Sequence, residues 1–150
     1  MLTARAIMSK KIITMESTVS PTDIAKIMHK NNVSCVIVTQ NEKPCGIITE
    51  RSFLSQISAQ NKKPSDMKST EMMSSPIVTI SASASVDDVA QTMLKGKIRH
   101  VLVVNDNQPL GIISITDFLK HFGTITADSD NYKKDLYENL FEEYDYWDRQ

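Results

Sequence analysis

Cysteine is nearly absent from this 150-residue chain: Cys35 and Cys45 are the only two, and they are not spaced as CxxC. That argues against a disulfide framework and a cysteine-ligated zinc site. Glycine is almost as sparse, with four residues, and no P-loop is present. Neither sign of charge is in excess, because 17 Lys and Arg face 18 Asp and Glu. A near-neutral chain has no strong field with which to recruit nucleic acid or an anionic membrane. No apolar run approaches the roughly 20 residues that span a bilayer. The opening Met1-Leu2-Thr3-Ala4-Arg5-Ala6 lacks the long apolar core of a signal peptide. A soluble, cytoplasmic protein is expected. No nucleophile–base pair or metal-ligand cluster stands out, so catalysis is not expected either.

What the chain does have is a copy of itself. Gly111-Ile112-Ile113-Ser114-Ile115-Thr116-Asp117-Phe118-Leu119 repeats Gly46-Ile47-Ile48-Thr49-Glu50-Arg51-Ser52-Phe53-Leu54. The same shift aligns residues 6–54 with 71–119 without a gap. Met8-Ser9 falls on Met73-Ser74, Ser20 on Ser85, Asp23 on Asp88, Met28 on Met93 and Pro44 on Pro109. Such a match is a tandem duplication, and it must be found first because the fold follows from it.

Each copy reads β-α-β-β-α. Ile12-Ile13-Thr14 and Ile77-Val78-Thr79 are short strands. Ser20 and Ser85 are placed as helix N-caps, with Asp23 and Asp88 three residues on and Pro21 at the first helical position. Helical spacing buries Ile24, Ile27 and Met28 in one copy and Val89 and Met93 in the other. Asn31-Asn32 and Gly96 end these helices. The β-branched runs 33–38 and 98–104 follow, then turns at 41–44 and 106–109 into the glycine strands. Residues 60–70 are polar and read as a linker. Residues 124–150 form an acidic, aromatic tail. Its Tyr132, Leu136, Leu140, Tyr144 and Trp147 recur at helical spacing among Asp128, Asp130, Asp135, Glu138, Glu142, Glu143, Asp145 and Asp148.

Two positions carry chemistry. Asp117 sits three residues after Ser114 at a helix start, where it serves as a capping box. A carboxylate there, beside free N–H groups and hydroxyls, equally suits the vicinal hydroxyls of a ribose, with phosphate on the N–H side. Both readings stand. Arg99-His100 opens an otherwise apolar strand, either as solvated strand-end residues or as phosphate-neutralising groups in a cleft. His29 and His121 suit helix ends, Cys35 and Cys45 suit core and turn, and the methionines suit packing.

The duplicated Met-Ser and Gly-Ile-Ile-(Ser/Thr)-x-x-(Asp)-Phe-Leu motifs resemble the CBS (cystathionine β-synthase) domain in its tandem-pair form. The resemblance implies an α/β (α+β) fold of two β-α-β-β-α repeats, at 1–59 and 71–123, packed sheet to sheet about a pseudo-twofold axis. The C-terminal helix is additional. The family's role is regulatory: its clefts bind AMP, ADP, ATP or S-adenosylmethionine, a nucleotide with or without magnesium, and its pairs commonly form homodimers. The main cleft would use Ser9, Ile12, Thr14, Val33, Ser34, Arg99, Ser114, Thr116 and Asp117. A second would use Thr49, Arg51, Ser52, Ile77, Thr79 and His100, and is expected to be weaker because Ser52 replaces the ribose aspartate. The alternative is a structural or scaffolding dimer with vestigial clefts. The tail either packs back on the protein, burying Leu136, Leu140 and Trp147, or is offered to a protein partner.

Overall fold

A computed structural model describes residues 1–127 and 131–148; in the last helix the side chains described are those of 134–142. Two compact units emerge. One is Ile12–Ile77, and the other joins Met1–Lys11 to Val78–Gln150.

In the first-repeat unit, β1 (Thr14–Glu16), β2 (Cys35–Gln40) and β3 (Lys43–Thr49) form a sheet of order β1-β2-β3, parallel then antiparallel. In the second-repeat unit, β4 (Thr79–Ser81), β5 (His100–Asn105) and β6 (Gln108–Ser114) do the same in the same register. Val36–Val38 and Val101–Val103 are buried throughout, which is why these central strands read as unbroken apolar runs. β1 and β4 lie two residues later than the apolar letters indicate. The Ile13 and Val78 carbonyls accept from Ile37 and Leu102, so the ladder starts where Ile12 and Ile77 have already passed. Asn41-Glu42 and Asp106-Asn107 all take positive φ, making tight two-residue hairpins. Pro44 and Pro109 then sit one residue inside β3 and β6, strands at the end of the sheet order where a missing N–H is tolerated.

Helix α2 (Pro21–Asn31) starts as expected, with the Asp23 N–H donating to Ser20 Oγ at 3.2 Å. In α5 (Val86–Gly96) the cap is reciprocal: Asp88 N–H to Ser85 Oγ at 3.0 Å, and Ser85 N–H to Asp88 Oδ2 at 3.3 Å. The left-handed position that closes each helix belongs to Asn32 (φ 51°) and Lys97 (φ 50°). Gly96 is therefore the last helical residue and not the reversing one.

Two short helices escape the sequence pattern because one turn shows no periodicity: α1 (Ala4–Ile7) and, after 3₁₀ turns at Ser58–Gln60 and Pro64–Asp66, α4 (Ser69–Met72). Each leads into a Met-Ser segment that docks on a glycine strand. In the second-repeat unit Ser9 and Ile112 exchange N–H···O bonds, both 2.9 Å. In the first-repeat unit Ile47 and Ser74 do so at 3.0 and 2.9 Å. This docking explains the repeated glycine. A Cβ on Gly111 would lie 2.7 Å from both Met8 Sδ and the Ser9 carbonyl oxygen; one on Gly46 would lie 2.6 Å from Met73 Sδ.

Helices α3 (Glu50–Gln56) and α6 (Ile115–Thr126) follow β3 and β6. The tail forms α7 (Asn131–Asp148), which packs against α5 and α6. Its apolar face differs from the expected one. Tyr137 and Leu140 are buried, with Leu136 and Phe141 packed beside them. Leu140 and Leu136 thus pack back as expected, whereas Tyr137 and Phe141 were missed. Tyr132, Tyr144 and Trp147, with the acids of 128–130 and 143–148, lie outside the described side chains.

Candidate functional site: a carboxylate at a helix start

The second-repeat unit brings together Ser9, Arg99, His100, Ser114, Thr116 and Asp117. Strand β6 runs directly into α6, and Ser114 is at the junction with extended backbone. Asp117 Oδ2 accepts from the Ser114 N–H at 2.7 Å and from Ser114 Oγ at 3.0 Å. The Asp117 residue is only 6% exposed, while Thr116 is exposed on the same first turn. His100 stands opposite Ser114 in the β5–β6 ladder, and Arg99 precedes it. Burial, then the neighbouring Arg99 charge, lower the His100 pKa to about 4, against a smaller opposing pull from Asp117. His100 is therefore a neutral imidazole at pH 7 and contributes no positive charge there. Ser9, half-buried, is fixed against Ile112 of β6.

The first-repeat unit holds the corresponding residues Ser34, Thr49, Arg51 and Ser52, with Val33 just before Ser34 and Ile77 at the unit's end. Thr49 caps α3, and Ser52 closes a capping box with it: Thr49 N–H to Ser52 Oγ at 3.0 Å, and Ser52 N–H to Thr49 Oγ1 at 3.3 Å. The Ser34 carbonyl accepts the Glu50 N–H at 3.0 Å. Arg51 is exposed and Ser52 is 8% exposed. Of the remaining expected residues, Thr14 opens β1 with Ile12 just ahead of it, and Thr79 opens β4.

Ser52 and Asp117 occupy matching positions and perform the same capping task. A serine hydroxyl makes the same cap in the other repeat, so the cap by itself does not require a carboxylate at this position. Cys45 is a poor nucleophile. Burial, then Glu16, raise the Cys45 pKa, and its thiol donates weakly to the Val38 carbonyl at 3.4 Å. Among the described residues no group of three His, Cys, Asp or Glu is placed to hold a metal ion. No helix is long and apolar enough to cross a membrane, among those same residues.

Two copies of one β-α-β-β-α unit, each with a capped helix start after a glycine strand, define a tandem-repeat α/β protein whose third helical positions carry Ser52 in one copy and Asp117 in the other. The CBS domain matches it twice, over residues 4–59 and 69–124, and the chain belongs to that family as a tandem pair. An uncharacterized protein of Methanopyrus kandleri is 30% identical over 133 residues, which are 87% of this chain and 68% of that one. Another, of Methanocaldococcus jannaschii, is 27% identical, over 74% of this chain and 61% of its own length. Both relatives extend beyond the matched region. Among solved structures, the CBS domain pair of protein MJ0100, in complex with 5′-methylthioadenosine and S-adenosyl-L-methionine, superposes with TM-score 0.71. It is 33% identical, covering 81% of this chain and 96% of that one.

Proposed function

We propose that this chain is a regulatory module whose ligand is an adenosine compound, AMP, ADP, ATP or S-adenosylmethionine, held at the start of α6. The single observation that carries the proposal is the Asp117–Ser52 difference. The same backbone site is capped adequately by a hydroxyl in one repeat, yet keeps a buried carboxylate in the other. A carboxylate at that position would accept from a pair of ribose hydroxyls. Arg99 and the first N–H groups of α6 suit a phosphate, and Ser9, Ser114 and Thr116 supply further polar contacts. Occupancy of MJ0100 by two adenosine compounds supports the ligand class. Thr49, Arg51 and Ser52, lacking the carboxylate, form the weaker counterpart. Binding would act by population shift, changing conformation or oligomeric state and so reporting energy or methyl-donor status; such coupling is typically worth about 1–3 kcal/mol.

The test is Asp117→Ser, which installs the capping arrangement of Ser52 and removes the carboxylate. Calorimetric titration with AMP, ADP, ATP, S-adenosylmethionine and 5′-methylthioadenosine should give about one tight site per wild-type chain. In the variant, affinity should drop by roughly 10- to 150-fold, the equivalent of about 1.5–3 kcal/mol for a charge-assisted contact. Unfolding stability should stay within about 1 kcal/mol, the size of a capping change. Unchanged affinity removes Asp117 from the site, and silence of the wild-type protein towards all five compounds leaves a scaffold.

A further inference from the structure

The start of α6 and the docking of α7 are built on neighbouring residues. Asp117 accepts from Ser114, and the next residue, Phe118, is fully buried and meets the Tyr137 ring with centroids 5.9 Å apart. One turn further along α6, Phe122 meets Phe141 edge-on at 5.6 Å. The Tyr137 hydroxyl donates to Asp87 Oδ1 in the first turn of α5, so α7 ties α5 to α6. Ser9 is joined to the same core through the chain. Ile7, two residues before it, is buried in the cluster that holds Phe118, Tyr137 and Leu140.

The duplication supplies an internal comparison. In the first-repeat unit Ser52 and Phe53 stand where Asp117 and Phe118 do, and Thr22 and Glu50 where Asp87 and Ile115 do. Glu50 is exposed and Phe53 half-buried, whereas Ile115 and Phe118 are buried. In place of α7, the 3₁₀ turns Ser58–Gln60 and Pro64–Asp66 follow α3. That unit nonetheless forms its sheet in the same register and caps α3 through Thr49 and Ser52. A sheet and a cap of this type thus form without a helix such as α7. The carboxylate and the long covering helix occur together in one repeat and are both missing from the other.

We infer that α7 is the reporting element of the site: occupancy at the start of α6 and docking of α7 favour one another. The inference rests on the ligand site proposed above. Docked α7 fixes Phe118 and the first turn of α5, whereas released α7 leaves the first turn of α6 held from one side only. A compound bound by Asp117 and the first N–H groups of α6 orders that same turn. Each event therefore lowers the cost of the other, and by linkage the factor is equal in both directions. Loss of the bound compound then releases α7 more often and uncovers Phe118 and the apolar core around it.

The probes are AMP, ADP, ATP, S-adenosylmethionine and 5′-methylthioadenosine, added to the full chain and to Tyr137→Phe, which keeps the ring and removes the Asp87 hydrogen bond. Amide hydrogen exchange of residues 134–142 reads release of α7, and that of β5 reads global unfolding. In Tyr137→Phe, α7 should exchange faster than β5. Saturation with whichever of the five binds the wild type most tightly should slow α7 exchange by about 5- to 150-fold. The chain carrying both Tyr137→Ala and Phe141→Ala, with α7 released and β5 still protected, should bind that compound more weakly by the same factor. If that chain loses β5 protection, the exchange experiment on Tyr137→Phe decides alone. Exchange of α7 that saturation leaves unchanged, α7 that never exchanges apart from β5, or unchanged affinity in the doubly substituted chain overturns the inference and leaves the ligand site standing. Silence of the wild type towards all five compounds overturns both.

Discussion

His100 shows how one strand position couples to pH. Burial and Arg99 hold it neutral, with a folded pKa near 4, while an unfolded histidine takes its proton near 6.5. The unfolded chain therefore binds the extra proton first. Its contribution to stability is fully present above about pH 6.5 and is lost as pH falls towards 4. The loss should approach about 3 kcal/mol at most, and less where solvent screens the ring. Denaturant melts between pH 7 and 4 should show the wild-type protein losing more stability than His100→Gln; parallel curves would show that His100 titrates normally. Asp117 illustrates the limit of reading single residues. Its capping and ligand-binding readings were equally open in the sequence, and only the hydrogen bonds of Ser52 show that a cap needs no carboxylate.

At the scale of elements, α7 is anchored, among its described side chains, by buried Tyr137 and Leu140 with partly buried Leu136 and Phe141 beside them. Burial and the Asp87 hydrogen bond keep the Tyr137 phenol far above its usual range, so the hydroxyl remains protonated and donating. Leu140, 2% exposed, is packed in the same core cluster as Val89, Met93 and Phe118. Leu140→Ala should destabilise the second-repeat unit by about 2–5 kcal/mol, the usual result of truncating a buried leucine. The same change at exposed Leu54, 63% accessible on α3, should cost under about 1 kcal/mol. Equal effects in thermal unfolding would contradict the docking of α7. The helix and the inward packing of Leu136 and Leu140 were legible from apolar spacing, but the part of the stripe made by Tyr137 and Phe141 was not. Tyr137 and Phe141 are one position away from Leu136 and Leu140, and a helix flanked by acids offers two adjacent faces until a partner surface selects one.

At the scale of the molecule, chain order and core membership part company. Ala4 and Ile7 belong to the first repeat in sequence, yet they are buried in the core of the second-repeat unit with Val86, Val89 and Phe118. The Val86 N–H donates to the Leu2 carbonyl at 3.1 Å and the Ala4 N–H to the Ala84 carbonyl at 2.8 Å. Met72, just before the second repeat's Met-Ser, lies in the core of the first, and the Ser69 hydroxyl donates to the Val19 carbonyl. Ile7→Ala should therefore cost about 2–5 kcal/mol, and hydrogen exchange should register it in α5, β5 and β6 with β2 and β3 less affected. Loss of protection confined to β2 and β3 would refute the exchange of leading segments.

The duplication, the β-α-β-β-α plan, the serine caps at Ser20 and Ser85 and the family were all determined by the sequence alone. Each depends on periodicity or on contacts within a few residues, which spacing records directly. Tertiary structure decided what those patterns leave open: that the Met-Ser segments dock on Gly46 and Gly111, and how wide a face of α7 is buried. These depend on close approach between segments far apart in the chain, where a glycine's missing Cβ or a helix's inward side acquires meaning only from the surface packed against it.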